Sequence, residues 1–147
     1  AGGLALVASA GGRLEPDLET AGGALIRMPV KSKNVITMLA NGLRLASVIR
    51  KRGVRLVHAR SRAPGWSALL AARLAGVPFV TTFHGIYNFK SPLKRFYNSV
   101  MARGDVVIAN SHYTADLIRR LHAEQAGERI RVIHRGTDLA AFTPAAV

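Results

Sequence analysis

Short apolar runs recur along the chain, each followed by a small-polar loop and then by a stretch of helical period. Residues 4–8, 24–28, 54–58, 79–83, 106–109 and 130–133 are such runs, and several of them are nearly continuous in Val, Ile, Leu and Ala. That is the pattern of strands covered on both faces. Between them, Leu39, Leu43, Ala46 and Ile49, with Leu45 and Val48, recur at helical spacing through about Arg50 and predict a buried face there. Residues 66–74 are rich in Ala and Leu, with Pro64 near the expected helix start. Leu93, Phe96, Tyr97, Val100 and Met101 share one face of a helix that Ser91 would cap, with Pro92 at its first position. Ser111 would cap a helix running through Leu121. Strands and helices alternating at this spacing predict an α/β, doubly wound, Rossmann-like parallel sheet.

Length and composition narrow the picture. The chain has 147 residues, one domain's worth, and 49% of them are hydrophobic, which fits a globular unit with a core of its own. It has no cysteine, so disulfide frameworks, thiolate metal sites and a cysteine nucleophile are excluded within it. No uncharged apolar run reaches the ~18–20 residues that cross a bilayer.

Charge changes the picture most. The chain carries 21 Lys+Arg against 8 Asp+Glu, a formal net charge of +13. After Glu19 the next acid is Asp105, and the 85 residues between them hold 15 Lys/Arg. Such a field favours an anionic partner: a phosphorylated small molecule, an anionic membrane surface or nucleic acid. Of the basic residues, 16 are Arg, the side chain suited to bidentate contacts with phosphate or carboxylate.

In an open parallel sheet, ligands bind beyond the carboxyl ends of the strands. The residues there are Ser9-Ala10-Gly11-Gly12, then Arg60-Ser61-Arg62, His84-Gly85, Asn110-Ser111, and His134-Arg135-Gly136-Thr137-Asp138. Hydroxyls, imidazoles, guanidiniums and glycines thus gather on one edge, where helix N-termini also favour anions. His84 is the sharpest candidate, because it ends a buried strand where a reacting group can be reached. Arg60 and Arg62 are candidate ligand contacts, and Ser111 is at least a helix cap. The other histidines read as structural or exposed. No metal-ligand spacing, nucleophile elbow or phosphate loop with Lys is present, and no carboxylate pair can be assembled at the central strand ends. Tyr87, Phe89, Lys90, Lys94 and Arg95 surround Ser91-Pro92 and form an aromatic-basic patch suited to an anionic membrane surface. With no nucleic-acid motif beside it, nucleic acid is not an expected partner.

Four segments in order carry a resemblance. They are His58-Ala59-Arg60-Ser61-Arg62-Ala63-Pro64; Pro78-Phe79-Val80-Thr81-Thr82-Phe83-His84-Gly85; Val107-Ile108-Ala109-Asn110-Ser111; and Ile133-His134-Arg135-Gly136-Thr137-Asp138 with Phe142 and Pro144. Together they resemble the N-terminal domain of glycosyltransferase family 4, in its bacterial lipopolysaccharide-type members. The resemblance implies one half of a GT-B fold, two Rossmann-like domains with the active site between them. Residues 1–147 would be the N-terminal, acceptor-side domain. The central first strand and its Gly-rich loop would precede Ala1, and a C-terminal donor domain with paired glutamates would follow. It implies transfer of a sugar from a nucleotide-sugar to a lipid-linked or glycan acceptor, with retention and without a metal or other cofactor. The parent would be a hexosyltransferase-type enzyme of lipopolysaccharide biosynthesis. It would work in the cytoplasm, peripherally at the inner face of the cell membrane, and the isolated segment would be inactive. His84 maps to the histidine that faces the transferred sugar, and Arg135, Gly136 and Asp138 map to a motif near the domain exit. His134 stands where the family usually has Pro, and Thr137 where it has Val. Two alternatives remain: a sugar-nucleotide epimerase of GT-B-like fold, and a non-catalytic anion-binding α/β module.

Overall fold

The computed structural model describes residues 3–85 and 91–136. Strands and helices alternate: β1 (Leu6–Ser9), α1 (Glu15–Thr20), β2 (Ala24–Arg27), α2 (Val35–Arg52), β3 (Val57–Ala59), α3 (Arg62–Ala75), β4 (Phe79–Phe83), α4 (Pro92–Asn98), β5 (Val106–Ala109), α5 (His112–Ala126) and β6 (Ile130–Val132). Every ladder is parallel, in a two-stranded sheet β1-β2 and a four-stranded sheet β3-β4-β5-β6. The fold class is therefore the expected α/β with parallel strands. Among the described residues, however, the strands form two sheets, because no ladder joins β1 or β2 to β3.

Local chemistry explains the element ends. Asn34 caps α2 by accepting the Thr37 amide at 3.1 Å, and Gly53 closes it in the left-handed conformation at φ 61°. Gly76 closes α3 in the same way, and Pro64 is tolerated because it lies in the first turn. Ser91 and Ser111 cap α4 and α5 as their sequences predict. Helix α5 continues past Leu121 to Ala126, but His122 breaks its helical geometry. Helix α4 stops at Asn98 and a 3-10 turn carries Ser99–Ala102, so Val100 and Met101 enter the core from that turn while Leu93 and Phe96 stay exposed.

The core sits under the four-stranded sheet. Phe83, Val100, Met101, Val107, Ala109, Ala115, Ile118 and Ile130 form its main cluster, with Trp66 and Leu69 packed against it. Helices α2 and α3 pack side by side through Gly42, Ala46, Ile49 and Ala71. This corrects the expected α2 face. Leu39 and Leu43 are exposed, because a Cβ on Gly42 would lie 2.6 Å from Leu70 Cδ2. The absent side chain lets α3 close onto the Gly42 seam instead. Strand β3 begins at Val57 rather than Val54, since it pairs on one side only and its ladder with β4 starts at Val57↔Phe79.

Candidate active site

Arg60, His84, Asn110 and Arg135 each follow the carboxyl end of a strand of the four-stranded sheet, and the parallel registers put those ends on one edge. Arg60 Nε donates to His84 Nε2 at 3.1 Å, and Arg135 Nη2 lies 2.6 Å from His84 Nδ1. The imidazole is thus held between two guanidiniums that come from loops on either side of it.

This arrangement has a proton-counting consequence. A guanidinium only donates, and a neutral imidazole has one lone pair and one N–H. Only one of the two contacts can be a true hydrogen bond; in the other, the ring N–H faces a cation. The directed Arg60 Nε–H bond places the lone pair on Nε2, which leaves the Nδ1–H facing Arg135. Burial first, and then the charges of Arg60, Arg135 and His58, hold the His84 pKa below its usual value, so the ring is neutral at neutral pH. An anionic oxygen between the ring and Arg135 would accept from both and remove the mismatch. The cluster thus has the donors to hold an anion or a polarised hydroxyl.

Neighbouring residues support the cluster. His58 Nε2 lies 2.8 Å from Thr82 Oγ1. Its pKa is lowered by burial and then by Arg60. His112 and His134 bring their rings to 5.7 Å at the same edge. The sequence pattern had treated these three histidines as background; only their alternation with strand ends could have grouped them.

The remaining candidates divide. Arg62 does not join His84: its Nη1 donates to Asn98 Oδ1 at 2.8 Å, which ties α3 to α4. Ser61 is the N-cap position of α3 but makes no side-chain cap bond. Asn110 Oδ1 accepts from Thr114 Oγ1 at 2.8 Å and Ser111 Oγ accepts from the Thr114 amide at 3.1 Å, so both organise the start of α5. Gly85 lies beside open space, and nothing within 4 Å would meet a Cβ there. Lys94 and Arg95 are exposed on α4, with Arg95 Nη2 donating to Leu121 O at 3.2 Å. Tyr87, Phe89, Lys90, Thr137 and Asp138 lie outside the described residues.

In the first loop, Gly11 N donates to Ser9 Oγ at 2.9 Å and Gly12 N to Glu15 Oε1 at 2.7 Å, while Glu15 also pairs with Arg27 at 2.5 Å. The chain's own carboxylate thus takes an amide that an anion would use. Two concavities, of about 660 and 490 Å³, lie along β2 and between α4 and α5, away from His84. Among the described residues, no three His, Cys, Asp or Glu side chains converge as a metal site requires.

Comparison with known proteins gives this edge a context. A glycosyltransferase from Rickettsia africae ESF-5, known from its crystal structure, superimposes with a TM-score of 0.78 at 37% sequence identity, over 97% of this chain and 37% of that one. The chain thus spans little more than a third of that protein's length. No curated protein sequence matches it. The family described as Glycosyltransferase Family 4 matches residues 4–141, nearly the whole chain, and the chain belongs to that family.

Proposed function

We propose that the chain is the acceptor-side half of a retaining, metal-independent glycosyltransferase. It would move a sugar, of hexose type, from a nucleotide-sugar to a lipid-linked or glycan acceptor, in the manner of the lipopolysaccharide-type members of its family. The observation that carries this reading is the Arg60–His84–Arg135 cluster at the carboxyl edge of the sheet, in a chain of family 4. A neutral His84 can donate to or accept from a sugar hydroxyl without a proton change. The two guanidiniums supply fixed positive charge where a phosphate leaves or an anionic acceptor docks. Arg135, which the sequence set only beside the site, joins it in this reading. One further strand between β1 and β3, where no described ladder joins the two sheets, belongs to the same proposal, as does a donor domain beyond this chain. So does a peripheral position at the cytoplasmic face of the membrane.

The test uses the full chain that carries this domain, a panel of nucleotide-sugars, and lipid-linked and soluble glycan acceptors. Nucleotide release and product mass are followed with and without a chelator, and the anomeric configuration of the product is read by NMR. Chelator-insensitive transfer with a retained anomer is expected. Inversion, loss of transfer with the chelator, or donor isomerisation without transfer would reject the reading.

A further inference from the structure

Helices α4 and α5 enclose a recess of about 490 Å³ that the strand-end chemistry does not use. Its α4 wall carries Arg95, Phe96 and, on the loop past the 3-10 turn that continues the helix, Arg103. Its α5 wall carries Arg120 and Leu121, just before the break in helical geometry at His122. Neither His84 nor Arg60 nor Arg135 lines it.

The packing brings three guanidiniums to this recess and uses little of their hydrogen-bonding capacity. Arg103 is half-buried. Its Nε donates to Ser99 Oγ at 3.2 Å, and its guanidinium carbon lies 5.7 Å from the Trp66 ring centre and 5.8 Å from that of Phe96. The two rings stack on each other at 5.2 Å, so the cation is held in place by aromatic contact as well as by the hydroxyl. Arg95 Nη2 donates to the Leu121 carbonyl at 3.2 Å, beside the helix break. Arg120 is exposed on α5. A guanidinium has five N–H donors, so these bonds leave most of each fork available. Among the described residues none of the three pairs with a carboxylate. The acid among the described lining residues is Glu124, exposed on α5. Three cations facing one carboxylate leave the recess positive, and a bound anion would relieve their repulsion. A carboxylate ligand has two oxygens, enough for one fork. A phosphate or diphosphate has the oxygens and the charge for all three.

We propose that Arg95, Arg103 and Arg120 form a second anion site, between α4 and α5, which holds the phosphate or diphosphate group of a soluble small molecule. The site is separate from the strand-end cluster and does not rest on the transferase reading. When occupied it ties α4 to the last turns of α5 across the His122 break. His122 reports the occupancy. Its side chain is 2% exposed. Burial lowers its pKa most, a hydrogen bond with Gln125 opposes this, and the charges of Arg95 and Arg103 lower it further. Two of the three proposed ligands therefore act on the ring, and an anion between them would offset their charge and raise the His122 pKa.

The experiment titrates the full chain, isotopically labelled at its histidine rings, with inorganic pyrophosphate at constant ionic strength and follows the ring resonances by NMR. The His122 resonances should move and saturate, and the His122 pKa should rise. In an Arg60→Gln background, which weakens the strand-end cluster, the His122 response should keep its midpoint. Arg95→Gln with Arg120→Gln should raise that midpoint at least about tenfold, because each change removes charge-assisted bonds to the anion. Both side chains are exposed, and a melting curve checks that the variant is folded. Arg120→Gln alone should raise the midpoint severalfold, so the test does not depend on the double variant. His122 resonances that stay fixed while those of His84 move would overturn the proposal. So would an equal response to chloride at the same ionic strength, or an unchanged midpoint in the folded double variant. A response to phosphatidylglycerol vesicles without any response to pyrophosphate would also overturn it and assign the arginines to lipid headgroups.

Discussion

His84 is the point where burial and charge act on one side chain in the same direction. Desolvation and the charges of Arg60, Arg135 and His58 all favour the neutral ring. Replacing Arg60 with Gln should raise the His84 pKa toward the ordinary histidine value, as read from its ring resonances in an NMR titration. Adding inorganic pyrophosphate to the native chain should raise it too, so anion affinity should increase as pH falls through the histidine range. An unchanged titration would mean that Arg60 does not act on the ring. Asp105 is the opposite case. Burial raises its pKa, but the Phe79 amide at 2.8 Å and the Arg73 guanidinium at 2.9 Å outweigh burial and lower it. Asp105→Asn should cost about 1 kcal/mol, at the lower end for a charge-assisted bond because the carboxylate is partly exposed. The difference from wild type should be full above the ordinary carboxylate pKa of 3.8 and vanish as pH falls through the lower folded value. Thermal melts across that range check the sign. At this scale the sequence was informative where a residue's place at a strand end decided its position, as for His84 and Arg60, which meet at one edge. It was silent where a side chain reached across the fold. Arg62 turning to Asn98, and Arg135 reaching His84 past β5, depend on loop paths that no periodicity encodes.

Among the elements, glycines decide how closely neighbours approach. A Cβ on Gly104 would lie 2.5 Å from the Val106 carbonyl oxygen and 2.8 Å from Thr81 Oγ1. Backbone cannot yield as a flexible side chain does, so Gly104→Ala should cost about 1–3 kcal/mol. At Gly42 the obstacle is the Leu70 side chain, which can rotate, and alanine gains about 1 kcal/mol of helix propensity. Gly42→Ala should therefore change stability much less than Gly104→Ala. Denaturant melts of the two variants give the comparison, and an equal loss at both would contradict the packing. The same seam explains why the α2 pattern misled. Hydrophobic period alone favours Leu39 and Leu43, whereas Gly42 lets the helices meet one residue away. Helix α1 escaped the sequence reading because its six residues carry no apolar period. The strand cores, the α4 and α5 caps and the order of elements were legible because each rests on local chemistry: β-branched runs, serine caps and glycine stops.

For the whole molecule, two parallel sheets, an acid-free basic flank and a strand-end cluster of two arginines and a histidine sit in a chain of family 4. The parallel architecture was readable from alternation. The division into two sheets was not, since strand pairing is a long-range property. The chain covers 37% of its Rickettsia counterpart's length, so residues 1–147 alone are expected to release no nucleotide from any sugar donor. Turnover by that segment at an ordinary enzymatic rate, about 1 per second or faster, would require a catalytic site within it. The central claim is that the His84 edge is where sugar transfer occurs, and the most direct measurement is kcat/KM of the full chain with His84→Ala, beside its melting temperature. The account predicts at least a tenfold loss of kcat with the melt nearly unchanged, because a half-exposed ring at a strand end contributes to the transition state and little to the core. Undiminished turnover, or activity lost only together with the folded state, would contradict it.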